Sequence, residues 1–129
     1  MLQSRTCDFL IRLKNSYAAG RPTMIAPSSN VCVAIAELLQ KHNLIESYST
    51  SEDPLKNITL NLIYHDQRPQ ISHIRLFSKP GRRLYHKSSS LPWGASKNSI
   101  FIISTSKGLM SQKQAHTQKI GGELLAEIY

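Results

Sequence analysis

Apolar residues recur every three to four positions near the start of the chain: Phe9, Leu10, Leu13 and Tyr17, with Arg12 and Lys14 between them. That spacing predicts a helix over 5–19, capped at Ser4 and ended by Gly20-Arg21-Pro22. A short apolar run predicts a strand over 23–26, and Pro27-Ser28-Ser29-Asn30 reads as a turn and helix start. Val31, Ile35, Leu38 and Leu39 then mark the buried side of a helix over 31–41, closed by His42-Asn43, asparagine being a common left-handed cap. A strand is expected over 44–48, followed by a polar, acidic loop over 49–54. Strict alternation over 58–64 predicts the clearest strand of the chain, with a turn over 65–69.

The second part of the chain has a different rhythm. A connecting strand over 71–77 leads to Ser78-Lys79-Pro80-Gly81, where Pro-Gly marks a turn. Arg83 and Tyr85 fall on one face of the strand after it. Ser88-Ser89-Ser90 reads as a loop, and the stretch around Trp93 as irregular. A buried strand is expected over 100–103. Ser104-Thr105-Ser106-Lys107-Gly108 then forms a small polar loop, backed by a helix that starts at Ser111 with a capping-box partner at Gln114 and stops at Gly121-Gly122. The last strand is expected over 123–129. The pattern predicts an α+β protein. Its N-terminal α/β half, 1–77, has two helices with a small sheet, and its C-terminal half, 78–129, a small, mostly antiparallel sheet with one short helix.

Charge changes this picture. The 129 residues carry a net charge of +8. Residues 1–64 hold six Lys and Arg against five acids, whereas residues 65–129 hold ten against three. A basic excess confined to one half points to a polyanionic partner for that half. Cys7 and Cys32 match no metal or redox spacing and predict free thiols. No stretch approaches the ~18 apolar residues of a membrane-spanning helix. The N-terminus has neither an apolar signal core nor a long Arg/Ser-rich leader, so an organellar chain would be made in place or already processed.

The polar loop at 104–108 supplies hydroxyls, an ammonium and a glycine that lets backbone approach a ligand closely. The plain alternative is an ordinary Ser/Thr turn. The order G-x-x-x-x-G-K-[ST] is absent, so nucleotide hydrolysis is not expected. Gly121-Gly122-Glu123 can face the same surface, where a carboxylate accepts from a base amino group and hydroxyls meet a ribose 2′-OH. Lys79, Arg82 and Arg83 can meet phosphates beside Tyr85, which can stack on a base or contact a ribose; the plain alternative is a solvated charged turn with a core tyrosine, the reading the tyrosine taken alone favours. The five histidines have no ligand spacing, so neither a metal nor a cofactor is expected. A catalytic reading would have to recruit His116 as a base, and no nucleophile motif supports it.

These motifs resemble the small-subunit ribosomal protein eight family. Ser104-Thr105-Ser106-Lys107-Gly108 with Gly121-Gly122-Glu123 is similar to its C-terminal signature, and Ser78-Lys79-Pro80-Gly81 with Arg83 and Tyr85 to its interdomain turn and following strand. Asp8 with Arg12, Lys14 and Asn15 resembles its first helix, and Pro27-Ser28-Ser29 the start of its second. The likeness covers nearly the full chain. It implies a two-domain protein with no catalysis, no membrane and no small-molecule substrate. The implied partners are the central domain of small-subunit rRNA and neighbouring ribosomal proteins. On this resemblance the RNA-binding residues are Ser104, Thr105, Ser106, Lys107, Gly108, Gly121, Gly122, Glu123, Lys79, Pro80, Arg82, Arg83, Tyr85 and Lys87. A second, weaker surface uses Arg12, Lys14, Asn15, Ser28 and Ser29. Lys97-Asn98-Ser99 replaces the family's Gly-Leu-Gly, and Asn30 a usual lysine. Such drift suggests an organellar ribosome, mitochondrial before plastid, with a bacterial cytoplasm as the alternative.

Overall fold

The computed structural model describes residues 2–51, 56–77, 85–87 and 99–129. The chain divides into two compact units, Met1–Ser72 and His73–Tyr129. The charge asymmetry follows this division: seven Lys and Arg against six acids in the first unit, nine against two in the second. No described helix is long and apolar enough to cross a membrane.

In the first unit, helix α1 (Leu2–Ala18) buries Phe9, Leu10, Leu13 and Tyr17, the stripe its spacing predicts. It starts before Ser4, so Ser4 lies within the helix and is not its cap. Strand β1 (Thr23–Pro27) leads to helix α2 (Asn30–Lys41), which Ser29 caps by accepting from the Cys32 N–H at 3.2 Å. Strands β2 (Ser47–Thr50) and β3 (Asn57–Asn61) complete an antiparallel sheet of order β1-β3-β2. Helix α2 therefore crosses over between the two outer strands. Ile58 and Leu60 of β3 are fully buried.

Two boundaries differ from the sequence expectation, and pairing explains both. The expected strand over 44–48 starts only at Ser47, because Leu44 N–H donates to Leu39 O at 2.9 Å to finish α2. Asn43 takes the left-handed conformation (φ 59°) that this ending requires. The alternation over 58–64 is a sheet strand only to Asn61, where its partners Thr23 and Ser47 begin. Tyr64–His65 (β4) then pairs with Arg68–Pro69 (β5), so the expected turn over 65–69 is a small hairpin, with Asp66 and Gln67 both at positive φ.

In the second unit, strands β6 (Ile74–Leu76), β7 (Tyr85–His86), β8 (Ile100–Thr105), β9 (Gly108–Ser111) and β10 (Gly122–Ile128) form one sheet of order β6-β10-β8-β9, with β7 also on β10. All these pairings are antiparallel. The segment 73–77, assigned to the first domain from sequence, is part of this sheet because Ile74, Arg75 and Leu76 pair with Ile128, Glu127 and Ala126. One face packs Phe101, Ile103, Met110 and Leu124 with Ala115 of helix α3 (Gln112–Thr117), beside Phe77. The buried Gln112 side chain accepts from the Phe101 N–H at 2.7 Å and ties the helix start to β8. The capping box of Ser111 and Gln114 is present. The helix does not run on to the glycines: it ends at Thr117, with Lys119 in the left-handed conformation (φ 57°).

Candidate nucleic-acid interface

The polar stretch after the buried residues of β8 is not an open loop. Ser104 and Thr105 are still strand, Ser106 and Lys107 form a two-residue turn, and Gly108 begins β9 opposite Thr105. Neither Ser106 nor Lys107 has positive φ, so the strands are rejoined by Gly108 at φ 108°, a conformation that costs glycine little. The Thr105 hydroxyl locks this hairpin: it donates to Gly108 O at 2.8 Å and accepts from the Lys107 N–H at 3.1 Å. Its one proton is thereby used, and toward a ligand Thr105 can only accept. Ser106 and Lys107 are exposed at the tip.

Register brings the separated sequence motifs together. Glu123 of β10 lies opposite Ser104 of β8 on one side and opposite Tyr85 of β7 on the other. Directly opposed residues of an antiparallel sheet share a face. Tyr85, Glu123, Ser104 and Leu109 therefore form one row across four strands. Tyr85 is 66% exposed and offers its ring to a stacking partner. Glu123, between Tyr85 and Ser104 in this row, is buried to 9% exposure.

The two glycines beside Glu123 have a packing reason. A Cβ on Gly121 would lie 2.5 Å from His86 O and 2.9 Å from the Lys87 Cα. A Cβ on Gly122 would strike the Ser104 carbonyl oxygen. The chain thus enters between β7 and β8 with no room for a side chain at either glycine. Lys87 is exposed at this end. Lys79, Pro80, Arg82 and Arg83 lie outside the described residues.

The first unit holds the other expected residues. Arg12, Ser28 and Ser29 line one cleft, with Asn15 in the next along α1. Arg12 Nη1 donates to Ile25 O at 2.9 Å, and the Ser29 hydroxyl is engaged in capping. Lys14 lies about 200° around the helix from Arg12 and lines neither cleft. Arg5 and Arg21, which the motif reading passed over, line these clefts as well. Arg5 was legible, seven residues before Arg12 on one helix flank. Arg21 was not, because it enters through the turn at Gly20.

Among the described residues no cluster of His, Cys, Asp and Glu could hold a metal ion. Residues 5–129 match the family described as Ribosomal protein S8. The chain belongs to the ribosomal protein S8 family. A relative called small ribosomal subunit protein uS8, from Dichelobacter nodosus, is 38% identical over 128 residues, covering 99% of both chains. The uS8 protein of Cellvibrio japonicus is 34% identical over 128 residues, 99% of this chain and 98% of its own. That of Neisseria meningitidis serogroup C is 38% identical over 118 residues, 92% and 91% of the two chains. S8 membership covers both units, and the row on β7, β10 and β8 lies within the matched residues.

Proposed function

We propose that this chain is a structural, non-catalytic constituent of the small ribosomal subunit, and that the row Tyr85–Glu123–Ser104 with the tip Ser106–Lys107 is its principal rRNA-binding surface. The family supports the first part. The observation that carries the second is the shared register of three strands, which sets an exposed ring, a carboxylate and a hydroxyl side by side in the basic second unit. Tyr85 stacks on a base or ribose, Glu123 and Ser104 read base edges and 2′-OH groups, and Lys107 and Lys87 meet phosphates. Thr105 acts by holding the hairpin. Lys79, Arg82 and Arg83 add phosphate contacts. Arg12, Asn15, Ser28 and Ser29 form a second surface on the first unit, while Lys14, on the opposite flank of α1, contacts RNA apart from them.

The RNA is the central domain of small-subunit rRNA, and neighbouring ribosomal proteins complete the site in the body and platform. The ribosome is the place of action, and the compartment we favour is the mitochondrial matrix, on the departures at Lys97-Asn98-Ser99 and Asn30. Footprinting on a small-subunit rRNA transcript tests the surface. Tyr85→Ala should weaken binding by about 1–3 kcal/mol, and Lys107→Ala should reduce the salt slope by about one unit. Full affinity and an unchanged slope in both variants would remove the row from the RNA interface. Recovery of the protein with small subunits from purified mitochondria tests the compartment, and its absence from them would refute it.

A further inference from the structure

Alternation along β6 and its two flanking residues places His73, Arg75 and Phe77 on one face of the second unit's sheet. The pairing with β10 holds over this whole length. His73 and Tyr129 exchange backbone hydrogen bonds of 2.6 and 3.0 Å, and the Phe77 N–H donates to Leu125 O at 2.9 Å. Arg75 lies opposite Glu127, and Glu127 opposite Phe101, so all three share that face. Phe101 and Ser104 are an odd number of positions apart in β8. The row Tyr85–Glu123–Ser104 therefore lies on the other face.

On the β6 side the flat groups meet in two sets. The His73 and Tyr129 rings are 5.4 Å apart and tilted by 33°. The Arg75 guanidinium sits 5.1 Å over the Phe77 ring, which stacks in turn on Phe101 at 6.0 Å. Helix α3 packs on β8 and β9 and leaves this rim open: His73 and Arg75 are exposed, whereas Phe101 is buried. The Phe77 ring attracts the guanidinium from one side, which lowers the cost of ordering it on a ligand. Among the described residues no hydrogen bond or ion pair occupies Arg75.

We infer that this rim is a stacking site for an unpaired base of small-subunit rRNA, with the base on the outer face of the Arg75 guanidinium and His73 beside it. The inference rests on the rRNA-binding reading but concerns the opposite face of the sheet, a separate RNA segment and residues that no motif marks. Sheet faces that carry rings with cations between them stack unpaired bases. Charge favours a nucleotide here, since the unit carries nine Lys and Arg against two acids. An acidic protein segment fits less well, because one of those two acids, Glu127, stands directly opposite Arg75.

The test measures affinity of the full-length protein for a small-subunit rRNA transcript across a salt series, with base-specific chemical footprints. One stacked base is worth about five- to 150-fold in affinity. Arg75→Lys keeps the charge and loses the plane, so it should lose at least about fivefold with an unchanged salt slope. Arg75→Ala should lose at least as much, and His73→Ala should weaken the same contact. The Arg75 variants should expose one base that wild type protects and leave unaltered the bases that Lys107→Ala exposes. Lys41→Ala, an exposed cation of the first unit, should change nothing. If Arg75→Ala lowers the melting temperature, Arg75→Lys, which keeps the stem, carries the test alone. Full affinity in Arg75→Lys beside a loss in Arg75→Ala would make the contact a phosphate and overturn the stacking site. Full transcript affinity in both, with loss of stable incorporation into small subunits, would give the rim to a protein neighbour and overturn it too. Unaltered Arg75 variants beside a weakened Lys107→Ala overturn the rim and leave the row standing. The reverse result overturns the row and keeps the rim, and no change in any variant overturns both.

Discussion

Gly122→Ala tests whether the glycine pair is there for packing. The added Cβ would strike the Ser104 carbonyl oxygen and sit 3.0 Å from Ile103 Cγ2. The backbone cannot step aside, because the neighbouring Glu123 is paired on both sides, with Tyr85 and with Ser104. Forcing a methyl into such a site costs about 1–3 kcal/mol. Separating the strands there sacrifices one or two ladder hydrogen bonds at about 1 kcal/mol each. The expected loss is about 2–5 kcal/mol out of a total of about 5–15. In a domain of this size 1 kcal/mol moves the melting temperature by about 4–8 °C, so a fall of at least about 8 °C is expected. Gly108→Ala is the contrast. Its Cβ meets nothing within 4 Å, and only the φ of 108° opposes it, at about 1–2 kcal/mol. Thermal and urea unfolding should rank Gly122→Ala below Gly108→Ala. Measured where both are folded, the Gly122 variant should also bind rRNA more weakly, because the shift displaces Ser104 and Glu123. Equal melting of Gly122→Ala and wild type, or a larger effect at Gly108, would refute the packing argument.

Three further outcomes follow from the local geometry. Lys119→Gly should stabilise the second unit by about 0.5–1 kcal/mol in urea unfolding, since Lys119 ends α3 at φ 57° where glycine carries no Cβ penalty; a loss of stability would contradict it. Ser111→Ala should cost about 1–2 kcal/mol by the same measurement, because the Ser111 hydroxyl accepts from the Gln114 N–H at 3.3 Å and is almost fully buried; an unchanged midpoint would mean the capping box contributes nothing. Burial pushes the Tyr17 hydroxyl up to about 12 from the ordinary 10. Its folded pKa is the higher one, so its contribution is complete below pH 10 and is lost between pH 10 and 12, up to about 2–3 kcal/mol. Tyr17→Phe should flatten that part of the stability–pH curve while costing about 1–3 kcal/mol at pH 7, as the bonds to Leu44 O (2.7 Å) and from the Ile63 N–H (3.2 Å) disappear. A curve as steep as that of wild type would assign the titration elsewhere.

The amino-acid sequence by itself determined the helices and much of the chemistry, because both are written in local patterns. The stripe of Phe9, Leu10, Leu13 and Tyr17 sets the buried side of α1, and Ser29, Asn43, Ser111 and Gln114 mark helix ends through bonds to residues a few positions away. The basic excess of the second unit and the signature at 104–108 needed no partner to be read. Strand limits were different. Tyr48 and Asn61 are in the sheet and Leu44 and Leu62 are not, since a strand lasts only as long as a neighbour stands opposite, and that neighbour is remote in sequence. The same holds for Ile74–Leu76, whose membership of the second unit is decided by β10. Three motifs could be named from the sequence, but only register could place Tyr85, Glu123 and Ser104 in one row. Only tertiary structure could turn the Thr105 hydroxyl inward and make Gly121 and Gly122 a matter of space. Composition and spacing specify which groups a chain carries and how its helices begin and end. Which groups meet, and which are already engaged, is set by contacts between residues that the sequence keeps far apart.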